Sequence, residues 1–199
     1  MSDAPKPYRT SWATSIAVTL VLLTLLAGAW FVPGWLRRRR AAQEREGVLG
    51  LATIANAEAD FRANDRDRNG ILDFWTGDVA GLYTYGLIPR EIAEADAAPL
   101  VPLVPQPIPY QGHYYRALIA DDSQSPPIDY RQVTDPKSGA VHNPQRFGFV
   151  VYPAKGLVPP KYVWIVNENN TCFHSTVAGP PPSRWPSDNQ VMRFWSKVR

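Results

Sequence analysis

The sequence predicts an α+β protein: an N-terminal transmembrane helix running into a helical spine packed on a small antiparallel β-sheet. Three observations predict it. Residues 10–36 carry no charged side chain and end abruptly in Arg37-Arg38-Arg39-Arg40. Val48, Leu51, Ile54, Ala55, Glu58 and Phe61 then recur at three- and four-residue spacing, the period of one helix face. Further on, short aromatic and β-branched runs are bounded by turn residues, which is the pattern of strands.

The elements follow in order. A bilayer core needs about 20 consecutive apolar residues in a helix, and residues 12–36 are long enough. Trp12, Trp30, Phe31 and Trp35 sit towards the ends of the run, where amphipathic rings meet headgroups. Pro33-Gly34 is tolerated there, because a helix can kink or stop at the interface. The chain thus divides into an N-terminal tail (1–11), a transmembrane helix (12–36), a basic juxtamembrane segment (37–47) and a folded domain (48–199). Two other readings of the run stay open. A cleaved signal peptide would use Lys6 and Arg9 as its basic region and Ala27-Gly28-Ala29 as its cleavage site. It would leave Trp30, Phe31 and Trp35 as a greasy new N-terminus in front of four arginines. A buried helix of a soluble protein is the other reading.

Residues 41–64 continue as helix, with Gly47 and Gly50 each weakening it by up to about 1 kcal/mol relative to Ala. Asn64-Asp65-Arg66-Asp67-Arg68-Asn69-Gly70 interrupts it as a solvated loop. Residues 77–85 form a short helical turn, and residues 89–98 a second helix with Pro89 in its first position. Residues 99–109, with a proline at every second or third position, make an extended strap over the domain surface. Strands are expected at 113–119, 147–152, 162–167 and 171–177, ordered as an antiparallel meander. Residues 121–146 read as a long polar insertion, and residues 188–198 as a terminal helix with Val191, Met192 and Trp195 inward.

Charge and composition exclude some functions. The pI of 9.1 suggests a nucleic-acid partner until the charge is located. Residues 48–199 carry 14 basic against 15 acidic side chains, so the folded body offers no basic face for nucleic acid. The basicity is juxtamembrane, where Arg37, Arg38, Arg39 and Arg40 would meet anionic headgroups or set topology. Counting Lys and Arg at the span ends favours a cytoplasmic body, but the rule is a bias that large domains can override, and the orientation stays open. Cys172 is the single cysteine, so no internal disulfide forms.

The strongest ligand pattern is Asp65-x-Asp67-x-Asn69-Gly70 with Asp73 at the ninth position, matching the start of an EF-hand calcium loop. Thr76 stands at the twelfth position, where a bidentate Glu completes such a site. The competing reading is an aspartate-rich turn that ends the long helix. His113, His142 and His174 show no paired metal spacing. Cys172 and His174 would share one face of a strand, but no third orienting group or oxyanion site accompanies them. No phosphate loop, serine elbow or dinucleotide fingerprint is present.

The order of features resembles bacterial pseudopilin-like (type II secretion protein-like) envelope proteins. The resemblance rests on the apolar helix followed by Val48-x-x-Leu51-Ala-Thr-Ile54-Ala-x-Ala-x-x-Asp60-Phe61-Arg62. It continues in Asp67-x-Asn69-Gly70-x-x-Asp73-Phe74-Trp75, while Tyr110-x-Gly112-His-Tyr-Tyr115-Arg116 and Trp164-Ile-Val-Asn167-Glu168 are similar to related bacterial envelope domains. It implies a pilin-like fold on an inner-membrane anchor, with the body displayed outside the membrane and envelope or secretion-system proteins as partners. The chain departs from type II pseudopilins in lacking a prepilin-peptidase site and an acidic residue within residues 10–36. The expectation is therefore a permanently anchored, non-catalytic structural or interaction module without an obligate cofactor. The alternatives are an anchored calcium-responsive domain and, more distantly, an envelope enzyme using Cys172 and His174.

Overall fold

The computed structural model describes residues 12–137, 139–156, 159–176 and 179–198. The tail predicted over 1–11 lies outside them. Helix α1 covers Trp12–Ala63 and contains Pro33. Contacts divide the chain into two compact units, residues 1–39 and residues 40–199.

In the first unit, α1 is long and apolar enough to cross a membrane by length and composition, and its apolar window is wholly unburied. Thr19 and Thr24 return their hydroxyls to the Ser15 and Leu20 carbonyls at 2.9 and 2.8 Å. A hydroxyl satisfied by its own helix needs no water, which suits an apolar surround.

The second unit is α+β. After α1 come β1 (Phe74–Trp75), α2 (Ala80–Thr84), α3 (Arg90–Glu94), β2 (His113–Ala117), β3 (Ala120–Asp121) and β4 (Ile128–Asp129). Then follow β5 (Gln132–Asp135), β6 (Gly139–Asn143), β7 (Gly148–Pro153), β8 (Tyr162–Asn167), β9 (Cys172–Thr176), α4 (Asp188–Phe194) and β10 (Ser196–Lys197). The main antiparallel sheet has the order β10-β9-β8-β7-β2, so the predicted meander forms, with one further strand at its edge. Residue 177, expected to end the fourth strand, is outside the described residues.

Both faces of this sheet are covered. Phe149, Val151, Trp164 and Val166 enter a core with Leu51, Ile54 and Phe61 of α1 and with α2 and α3. Their neighbours Val150, Val163 and Ile165 point the other way, into a smaller core with Leu118, Tyr130 and Trp185. Two buried faces explain why β7 and β8 read as continuous apolar runs without alternation. The helix stripe packs as its spacing predicts: Leu51, Ile54, Ala55, Glu58 and Phe61 are all buried.

Several expectations change. Residues 40–47, read as juxtamembrane, belong to the folded unit. Gly47 and Gly50 lie against the His113 and Tyr115 rings, and any side chain at Gly50 would collide with the Tyr115 phenol. Their low helix propensity is therefore the cost of close packing on β2. The 121–146 interval is no plain insertion: β3 pairs with β4, while β5 and β6 join β1 in a second antiparallel sheet. Pro89 is the N-cap of α3, outside its first turn. Helix α4 is shorter than predicted and buries no residue, and Met192, expected inward, is 75% exposed. The chain stops helical pairing there because Ser196 and Lys197 add to the edge of β9. The strap holds no regular element, and its backbone is fastened by side-chain and carbonyl acceptors such as Asp78 and Glu94.

One buried group sets a pH dependence. His113 starts β2 fully buried, and burial pushes its pKa down to about 4, against a weaker pull from the Gln111 backbone. An unfolded imidazole titrates near 6.5, so below that pH the unfolded chain binds the extra proton. Stability from this residue is present above pH 6.5 and lost as pH falls towards 4, by about 3 kcal/mol. Replacing it by Leu removes that loss. On going from pH 7 to 4, His113→Leu should gain about 3 kcal/mol relative to the parent, read by denaturant unfolding of the solubilised chain. A difference that does not vary with pH would refute the assignment.

Candidate functional site

The end of α1 is where polar side chains gather. Asp60 takes a forked pair of hydrogen bonds from Arg66 at 2.8 Å, and this holds the chain as it leaves the helix. Asp65 and Arg68 then adopt positive φ (43° and 57°), as does Gly70 (81°), and the loop doubles back. Asp65 stabilises that turn itself. Its two carboxylate oxygens accept the Asn69 and Gly70 backbone N–H groups at 3.1 and 3.0 Å. The Asn69 side-chain Oδ1 accepts the Ile71 N–H at 2.7 Å, and its Nδ2 donates to Asp67 Oδ2 at 2.8 Å.

Of the four residues predicted for a calcium loop, the fold brings two together. Asp65 and Asn69 spend their oxygens on loop amides. Asp67 and Asp73 instead converge on His142, and one ligand atom from each of the three lies within 4.8 Å of the others. His142 Nδ1 is 3.1 Å from Asp73 Oδ1, and Nε2 is 3.9 Å from Asp67 Oδ2. Asp73 Oδ2 accepts the Thr134 hydroxyl at 2.5 Å. Thr76, at the twelfth loop position, turns away and donates its hydroxyl to the Tyr130 carbonyl.

The site is dry. The side chains of His142 and Asp73 are 0% exposed and that of Asp67 is 7% exposed. The His142 ring meets Trp75 edge to face at 5.4 Å and Phe61 at 6.1 Å. Burial raises the Asp67 pKa, as does the neighbouring Asp65 carboxyl, while the Asn69 amide and His142 oppose the rise. Glu58, reaching in from α1, is held well above the usual carboxylate range by burial, with the Asp73 charge adding to it. Its Oε2 accepts the Trp75 N–H at 2.9 Å. His142 Nε2, Asp67 Oδ1 and Glu58 Oε1 are buried without a hydrogen-bond partner.

No local spacing marks His142, which stands 75 residues from Asp67. Pairing of β6 with β1, Trp75 opposite His142, delivers it, and that pairing crosses the segment read as an insertion. Two more buried carboxylates, Asp78 and Asp96, were also absent from the sequence reading. Asp78 had a signal, since an aspartate directly before Val79-Ala80-Gly81-Leu82 is a helix-start pattern.

The remaining predicted residues stay apart from this cluster. Arg37, Arg38, Arg39 and Arg40 are exposed on α1. The Arg39 guanidinium lies 5.3 Å over the Trp35 ring, and Arg37 Nε donates to the Pro33 carbonyl at 3.3 Å. Cys172 and His174 both lie on β9. Burial pushes the Cys172 thiol up to about 11, which disfavours the nucleophilic thiolate, and the His174 ring packs edge-on to Tyr162 at 4.9 Å. No family model, curated protein or solved structure matches this chain.

Proposed function

We propose that the chain is a single-pass, membrane-anchored envelope protein whose folded unit is a non-catalytic structural or interaction module of pseudopilin-like kind. The observation that carries this reading is the division of apolar side chains on α1. Leu51, Ile54 and Phe61 are in a core, whereas Leu20, Val21, Leu22, Leu23, Leu25 and Leu26 are all more than half exposed. A water-soluble protein rarely leaves so large a contiguous apolar surface uncovered, and a bilayer covers it. Arg37 to Arg40 follow the run directly and suit the headgroup layer. The lipid bilayer is thus the first partner, and other envelope or secretion-system proteins are the second. The high Cys172 pKa supports a role without covalent chemistry at that residue.

On this reading the folded unit lies outside the bacterial inner membrane, although the arginines pull the other way. Paired C-terminal fusions to alkaline phosphatase and to a fluorescent protein that matures only in the cytoplasm test it. Phosphatase activity without fluorescence is the expected result. Fluorescence without phosphatase activity would place the body in the cytoplasm and overturn the envelope assignment. Release of the full chain by alkaline carbonate would overturn the anchor itself.

A further inference from the structure

The buried triad at the end of α1 leaves one chemical problem unsolved. Asp73 Oδ1 sits within hydrogen-bond distance of His142 Nδ1, so the ring proton belongs on Nδ1 and the Nε2 lone pair is left free. That lone pair faces the Asp67 carboxylate at 3.9 Å, too far for a hydrogen bond, and no donor reaches it. A buried lone pair facing a buried anion is repulsive unless a cation lies between them. Leaving such groups unpaired is costly, yet the fold holds them there from two separate segments.

We propose that His142 Nε2 and Asp67 hold a divalent transition-metal ion of the zinc class between them, with Asp73 orienting the ring from its Nδ1 edge, and that this staples the loop after α1 to the β1–β6 sheet. The donor chemistry selects the ion. One imidazole nitrogen with carboxylate oxygens suits Zn²⁺ and its first-row neighbours, whereas Ca²⁺ takes oxygen ligands alone. The oxygens that Ca²⁺ would need from Asp65 and Asn69 already accept backbone amides. Zinc–ligand bonds of about 2.0–2.2 Å place tetrahedral ligands roughly 3.5 Å apart, so the 3.9 Å gap between Nε2 and Asp67 Oδ2 would close by only about 0.4 Å. Asp73 also holds the imidazole from behind, the carboxylate–histidine–metal arrangement that fixes the tautomer. Water completes the coordination shell. The ion joins residues 67 and 142, so it cross-links segments distant in sequence, and its role is structural. It stands independently of the membrane reading.

The test uses the full chain in detergent, stripped with a chelator and titrated with Zn²⁺, Co²⁺ and Ca²⁺. One equivalent of Zn²⁺ should bind, and at hundredfold excess over Kd the Tm should rise by roughly 5–10 °C. Co²⁺ should give a visible d–d absorption band that Zn²⁺ displaces. Asp67→Asn, which keeps the shape of the loop residue, should lose the shift and the band, and His142→Gln provides a second variant should the first unfold. No shift and no band in the parent would mean that a proton fills the gap, and would overturn the proposal. So would a response to Ca²⁺ in place of Zn²⁺, or an undiminished response in Asp67→Asn.

Discussion

Asp78→Ala should cost about 4 kcal/mol or more and lower Tm by roughly 10 °C or more, although Asp78 touches no ligand and lies outside the triad. Its carboxylate is the hub of four donors. Oδ1 accepts the Trp75 indole N–H at 2.9 Å and the Gly81 backbone N–H at 2.8 Å. Oδ2 accepts the Leu100 and Val101 backbone N–H groups at 2.5 and 3.3 Å. One buried side chain therefore holds β1, the start of α2 and the head of the proline strap. Truncation to Ala leaves the Trp75 and Gly81 donors without acceptors inside the fold, at about 1–3 kcal/mol for each one that stays buried, and frees the Leu100 and Val101 amides of the half-exposed strap. Asp78→Asn separates charge from shape. It keeps one acceptor oxygen and should recover only part of the loss. Thermal or denaturant unfolding of the solubilised chain reads both variants, and a cost below 1 kcal/mol for the Ala variant would contradict the hub.

The parts of the fold legible in the sequence are those specified by local period. Leu51, Ile54 and Phe61 announce a helix face because contacts within one helix recur every three to four residues. Residues 162–167 announce a strand of exactly the bounds later seen because β-branched and aromatic side chains run between turn residues there. The 121–146 interval was opaque because β3 to β6 are short and polar, and their partners are remote. The pairing of Phe74 with Asn143 cannot be read from either segment alone. The same limit governs the candidate site. The Asp65–Asp73 pattern displayed the acidic residues, but spacing does not show which oxygens the loop spends on its own amides. Nor could it show His142 arriving from another strand. Asp65 and Asn69 are builders of the loop, and Asp67 and Asp73 are the two carboxylates that loop presents inward.

Phe61→Ala should be as damaging, at about 3–5 kcal/mol, for a different physical reason. Phe61 is the last large residue of the α1 stripe and is 1% exposed. Its ring meets Tyr85 edge to face at 5.1 Å, Trp75 at 6.2 Å and His142 at 6.1 Å. Removing it forfeits the transfer energy of a phenyl group and opens a cavity among three rings that cannot all move inward, since Trp75 is tied to Asp78 and His142 to Asp73. Leu49→Ala on the same helix is the matched control. That residue is 53% exposed, off the stripe, and should change stability by no more than about 0.5 kcal/mol. Equal losses in the two variants would mean that α1 does not bury the face its spacing specifies. A large loss confined to Phe61 would instead make that ring the support of the wall against which His142 is held, so the Zn²⁺ response should weaken in a Phe61→Leu variant that still folds.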